Sequence, residues 1–111
     1  MSDYNPELCN WPARNLWPAF VVPAGGVYKT PPLDMTHCGG LVQNFEVALM
    51  LANRKPCKAT FEVFDQLGVV GVSTKGDVKI GTVPDYAIYS IIVTSGSKHD
   101  ELCILNYAGG I

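Results

Sequence analysis

Charge is what this sequence has least of. Only 16% of its 111 residues are Asp, Glu, Lys or Arg, against roughly 25% in an average soluble domain. Ten acidic and eight basic residues leave a net charge of −2, so no cationic field exists to hold a nucleic-acid backbone. Histidine is nearly missing, with only His37 and His99. No apolar run approaches the roughly 20 residues needed to cross a bilayer as a helix. Neither nucleic acid nor membrane is expected as a partner. The segment Met1-Ser2-Asp3-Tyr4-Asn5-Pro6-Glu7 has no basic stretch and no apolar core, so no signal peptide is expected. Folding in a cytoplasm follows as the expectation.

Reactive constellations are also missing. There is no GxSxG, no HExxH, no P-loop and no GxGxxG after a strand. His37 adjoins Cys38, but neighbours on a strand point to opposite faces, so adjacency makes no dyad. A meeting of Cys38 with His99 in space is an arrangement the sequence permits and does not indicate. Asp65, Asp77, Asp85 and Asp100 fall in expected turns, where aspartate serves local backbone bonding. No EF-hand spacing or glycosidase carboxylate pair is recognisable. The glycine pairs 25–26, 39–40 and 109–110 read as flexible turns. No catalytic, cofactor or metal residue is assigned, and no enzyme is expected. The cysteines at 9, 38, 57 and 103 contain no CxxC. They read as four separate reduced thiols, mostly buried, with pairing open to a protein that later leaves the cell.

What the sequence does have is hydrophobicity, 48% of residues, which excludes a disordered chain. A chain of this length is one domain with one core. Phe45, Val47, Leu49 and Leu51 alternate with polar or smaller residues, the period of a half-buried strand. Cys57, Ala59, Phe61 and Val63 do the same against Lys58, Thr60 and Glu62. Asp65-Gln66-Leu67-Gly68 fits a hairpin turn, followed by Val69, Val70 and Val72. Thr74-Lys75-Gly76-Asp77 is a further turn before Val78 and Ile80. The run from Tyr86 to Thr94 is apolar on both faces and reads as a central strand. Leu102 to Tyr107 is the last strand, and earlier ones fall near Ala19–Val22 and Val27–Tyr28. About seven short strands with frequent turns predict a single antiparallel β-sandwich, jelly-roll-like or immunoglobulin-like.

Residues 1–24 are different in kind. Prolines 6, 12, 18 and 23 favour an extended, polyproline-like chain. Trp11-Pro12 and Trp17-Pro18 repeat an aromatic–proline pair. The expected organisation is an N-terminal arm over 1–24 and a sandwich domain over 25–111. Two tryptophans on an arm either cover the domain's own face or reach a neighbouring subunit, since Trp is a favoured interface anchor. Trp11, Pro12, Trp17, Pro18 and Phe20 are the candidate partner-binding residues.

One resemblance sharpens this reading. Pro23-Ala24-Gly25-Gly26-Val27-Tyr28-Lys29-Thr30-Pro31-Pro32-Leu33-Asp34-Met35 leads to Gly39-Gly40-Leu41-Val42 and the alternating strand. Val83-Pro84-Asp85-Tyr86-Ala87-Ile88-Tyr89 follows, with Asn106-Tyr107-Ala108-Gly109-Gly110 at the end. This order resembles small β-sandwich virion proteins of tailed bacteriophages. The resemblance spans roughly residues 23–110. The four cysteines and the Trp-Pro arm depart from it. It implies a non-enzymatic capsid decoration, cement or accessory protein in the virion, a homo-oligomer such as a trimer, with capsid or other virion proteins as partners. Two other readings stand beside it. A carbohydrate-binding or adhesion module would use Tyr86, Tyr89, Trp11 and Trp17 as an aromatic platform. A small phage-encoded inhibitor of a host protein is the third.

Overall fold

The structure, a computed structural model, describes residues 11–16, 18–38, 42–73, 76–84 and 86–110, with 11–16 and 37 described by backbone alone. Among the described residues ten strands appear in chain order. They are β1 (Trp11–Leu16), β2 (Phe20–Val22), β3 (Val27–Lys29), β4 (Leu33–Asp34), β5 (Val42–Leu51), β6 (Thr60–Asp65), β7 (Gly68–Ser73), β8 (Asp77–Val83), β9 (Ile88–Thr94) and β10 (Glu101–Gly110). One 3-10 turn, Met35–Cys38, lies between β4 and β5. The strands form two antiparallel sheets. The first runs β1-β10-β5-β8, with β2 also on β10; the second runs β3-β9-β6-β7, with β4 also on β9. The protein is an all-β sandwich, as the alternation predicts.

The core lies between the sheets. Phe45, Val47 and Leu49 of β5 and Leu105 of β10 meet Phe61 and Val63 of β6 and Tyr89, Ile91 and Val93 of β9. Two stacked aromatic pairs bridge the layers. Phe45 of the first sheet lies on Tyr89 of the second, centroids 5.8 Å apart. Phe20 of β2 lies on Tyr28 of β3, centroids 4.2 Å apart. Such pairs add about 0.5–1.5 kcal/mol beyond their buried area.

The pattern in β5 hides one irregularity. Val42 and Phe45 are both buried although three residues apart. A bulge reconciles them: Val42 pairs with Val83 but Phe45 with Gly81. Asn44 takes φ 55° there, a left-handed conformation that asparagine tolerates better than most residues. Gly109 of β10 packs against this bulge. A Cβ on it would lie 2.9 Å from the Val42 Cγ1 and 3.2 Å from the Phe45 Cα. Gly109 and Gly110 are strand residues here, not the turn that their pairing suggests. Gly25, at φ 68° in a turn, fits the expectation.

The arm also differs from its expected separateness. β1 pairs with β10 through Asn15–Tyr107 and Leu16–Asn106. β2 pairs with the other half of the same strand through Phe20–Cys103. Residues 11–16 and 20–22 are thus strands of the first sheet, so a boundary at 24/25 cuts through it. Residues 1–10 lie outside the described residues.

Candidate functional site

The most distinctive surface is the outer face of the second sheet. Strand register decides which side chains point there. Phe61, Val93 and Tyr28 share a rung, as do Val63 and Ile91, and these point inward. The alternate rungs join Val72 to Glu62 and Ile92, and Val69 to Phe64 and Ser90. A bulge between Val63 and Phe64 leaves Val70 unpaired. The outer side is open: Val27 is 59% exposed, Val69 52%, Val72 60% and Ile88 37%. Composition gives β9 the look of a strand covered on both sides, yet its outer side is covered only in part, with Ile88 and Thr94 exposed and Ser90 and Ile92 half-buried.

The corner beside this face is held rigidly. The Asp65 carboxylate accepts the backbone N–H of Leu67 at 2.7 Å and of Gly68 at 3.1 Å, closing the β6–β7 turn. The Gln66 amide then ties that turn to β9. Its Nε2 donates to the Tyr86 carbonyl at 2.7 Å, and its Oε1 accepts from the Ile88 N–H at 3.2 Å. Leu67 and Tyr86, both largely exposed, are thereby fixed next to Ile88. A pre-ordered apolar corner loses little entropy on docking. Charge is sparse on the face: Glu62 and Lys29 flank Ile92, and Asp34 pairs with Ile88. Such a surface can bury apolar area against a partner.

The candidate residues fare differently. Phe20 is 6% exposed and stacked on Tyr28, so its ring belongs to the core and presents nothing to a partner. Pro18 is exposed. Trp11 and Pro12 lie on β1, at the edge of the first sheet. Their side chains, and Trp17 entirely, lie outside the described residues. Tyr89 is buried, which removes it from any glycan platform and leaves Tyr86 exposed without it. Burial, then the nearby Asp65 and Tyr86, push the Tyr89 phenol up to about 12.

The Cys/His possibility does not assemble. Cys38 is disulfide-bonded, which corrects its reading as a free thiol and removes it as a nucleophile. Its 3-10 turn sits at the start of β9, where the Met35 N–H donates to the Ala87 carbonyl at 3.0 Å. His99 follows the far end of β9, a strand length of roughly 20 Å away. His99, Asp100 and Glu101 do line an open hollow of about 450 Å³. There the Asp100 carboxylate accepts the Ala24 N–H at 2.8 Å, and Glu101 accepts the Lys58 N–H at 3.1 Å. Both carboxylates are thus engaged in holding loops. Cys57 and Cys103 are free; Cys9 lies outside the described residues. Among the described residues no group of three or more His, Cys, Asp or Glu is placed to hold a metal, and no helix is long and apolar enough to cross a membrane.

Together these features define an all-β sandwich with an uncovered apolar sheet face. No known protein family matches the sequence, and no curated protein does. Solved structures do match. The Yersinia pseudotuberculosis-derived mitogen YPM aligns with a TM-score of 0.56 at 12% identity, over 87% of this chain and 86% of its own. FlhE aligns with a TM-score of 0.46 at 12% identity, over 88% of this chain and 95% of its own. The likeness to the mitogen is one of fold alone.

Proposed function

We propose that this protein is a non-enzymatic structural module that assembles with other proteins, and that its setting is the virion of a tailed bacteriophage, as a decoration or accessory protein of the head. The observation that carries the assembly role is the uncovered outer face of the second sheet. Val27, Val69, Val72 and Ile88 present apolar side chains to water on a rigid sheet, with Leu67 and Tyr86 fixed at its corner. These side chains share one sheet face, and apolar surface exposed on one face is what interaction sites in soluble proteins use. The occupant we assign is a second copy of the chain, because a single apolar sheet face can meet its own copy across a two-fold axis. The virion setting rests on the resemblance of residues 23–35, 39–42, 83–89 and 106–110 to small phage sandwich proteins.

Light scattering over a concentration series tests this. Wild-type protein is expected as a dimer or larger species, and the Val72→Lys/Ile88→Lys double variant as a folded monomer of 12.0 kDa. A wild-type monomer at all concentrations would remove the self-association. Loss of a glycan response in Tyr86→Ala, with no change in mass, would favour the adhesion module instead.

A further inference from the structure

Two cysteines are left unused by the assembly role. Cys103 sits on β10, pairs with Leu51 and Phe20, and points into the core with no exposed surface. Cys57 lies in the connection between β5 and β6, half-buried. Cys57 packs against the core cluster that contains Cys103, and the two thiols lie close enough to act on each other's ionisation. Cys57 also lies 3.6 Å from the Ala59 carbonyl.

The loop that carries Cys57 is fixed from two sides. Glu101, two residues before Cys103 on β10, accepts the Lys58 N–H at 3.1 Å. Gly96 of the β9–β10 loop lies so close that a Cβ there would clash with the Lys58 carbonyl oxygen. These contacts hold the loop of Cys57 beside the strand of Cys103. The second Glu101 oxygen is buried without a partner.

We propose that Cys57 and Cys103 form an oxidation site, a dithiol that closes to a disulfide stapling the β5–β6 connection to the first sheet. The co-reactant is a disulfide of the exchange-active class, small-molecule or protein. Cys57 is the more accessible sulfur and attacks first. Its thiolate forms a mixed disulfide with one sulfur of the donor and expels the other as a thiolate. The Cys103 thiolate then attacks the Cys57 sulfur, forms the internal S–S bond and expels the second thiolate. The pair gives up two protons and two electrons, and the donor leaves as two thiols. A chain that already carries a disulfide at Cys38 has a use for the oxidising medium this step needs. Burial, and then Glu101, raise the Cys57 thiol above its ordinary range, so closure is slow at neutral pH and speeds up with alkalinity.

The two cysteines are 46 residues apart, so the staple removes much freedom from the unfolded chain. The test is incubation of the full chain with glutathione disulfide, followed by alkylation and peptide mapping without reduction. We expect a Cys57–Cys103 cross-linked peptide and protection of both thiols. We also expect a melting temperature about 10 °C above that of the Cys57→Ser variant treated alike. In Cys103→Ala, glutathione is expected to stay on Cys57 as a stable mixed disulfide. The proposal is overturned if wild-type Cys57 also keeps glutathione. It is equally overturned if both thiols remain open to alkylation, or if either sulfur pairs with a different cysteine. None of these results depends on self-association.

Discussion

The two sheets share a core and cover their outer faces to different extents: the first exposes Val21 and Leu102 at one end and is closed at its middle. On the first sheet, Ala48, Ile104 and Asn106 point outward and are nonetheless buried. On the second, Val27, Val69, Val72 and Ile88 point outward and face water. Both faces are poor in charge, so composition does not separate them. What separates them is whether the fold has already covered the surface. The proposed assembly role rests on the face left open.

Substitution should break the contrast most forcefully at the core that both sheets share. Tyr89→Ala removes the ring stacked on Phe45 and is expected to cost about 3–5 kcal/mol in chemical denaturation. On the open face, Val72→Lys should leave stability within about 0.5 kcal/mol while lowering the mass measured by light scattering. Equal destabilisation by both would mean that the outer face is also core.

Alkaline pH sharpens the same distinction, because two inward side chains, Tyr89 and Cys103, ionise late. Burial, with Asp65 and Tyr86, moves the Tyr89 phenol from 10.0 to about 12. Burial, with Cys57 and Glu101, moves the Cys103 thiol from 9.0 to about 12. The unfolded chain ionises first at both positions. Their contribution is therefore complete below about pH 9 and is lost as pH climbs toward 12. Tyr89 alone accounts for about 2–3 kcal/mol of that loss. Urea titrations from pH 8 to 11.5 should show the decline, and Tyr89→Phe should flatten its upper part.

Gly109→Ala probes the covered sheet at its bulge. The added methyl meets Val42 and the Phe45 backbone and should cost about 1–3 kcal/mol. A gain rather than a loss is expected at Asn106, whose Oδ1 is buried without a partner and whose Nδ2 reaches the Met50 sulfur at 3.7 Å. Asn106→Leu should be neutral or stabilising by about 1 kcal/mol in thermal unfolding.

Much of this architecture is legible in the sequence, and the illegible parts have physical reasons. The alternation through Phe45, Val47 and Leu49 gives β5 its buried face, and Asp65-Gln66-Leu67-Gly68 gives the β6–β7 hairpin. The inward turn of Val42 is not legible, because the left-handed Asn44 resets the alternation and many sequences place asparagine in ordinary strands. β1 is obscured by the proline at 12, which favours extended chain without saying whether a partner strand is present. β4, with two residues, is too short to show a period. Phe20 reads as part of an arm because prolines surround it, while its burial depends on Tyr28 arriving from the other sheet. For the candidate face, the apolar runs at 69–72 and 88–92 are plain to see. Which side of them stays open is set by the register of β6 against β9, which no local pattern encodes.

The most direct test of the account is hydroxyl-radical footprinting of the outer side chains at dilute and assembling concentrations. Val27, Val69, Val72 and Ile88 should become protected on assembly, while exposed Val21 and Leu102 on the first sheet keep their labelling. Protection of Val21 and Leu102 with the second-sheet face still labelled would contradict it.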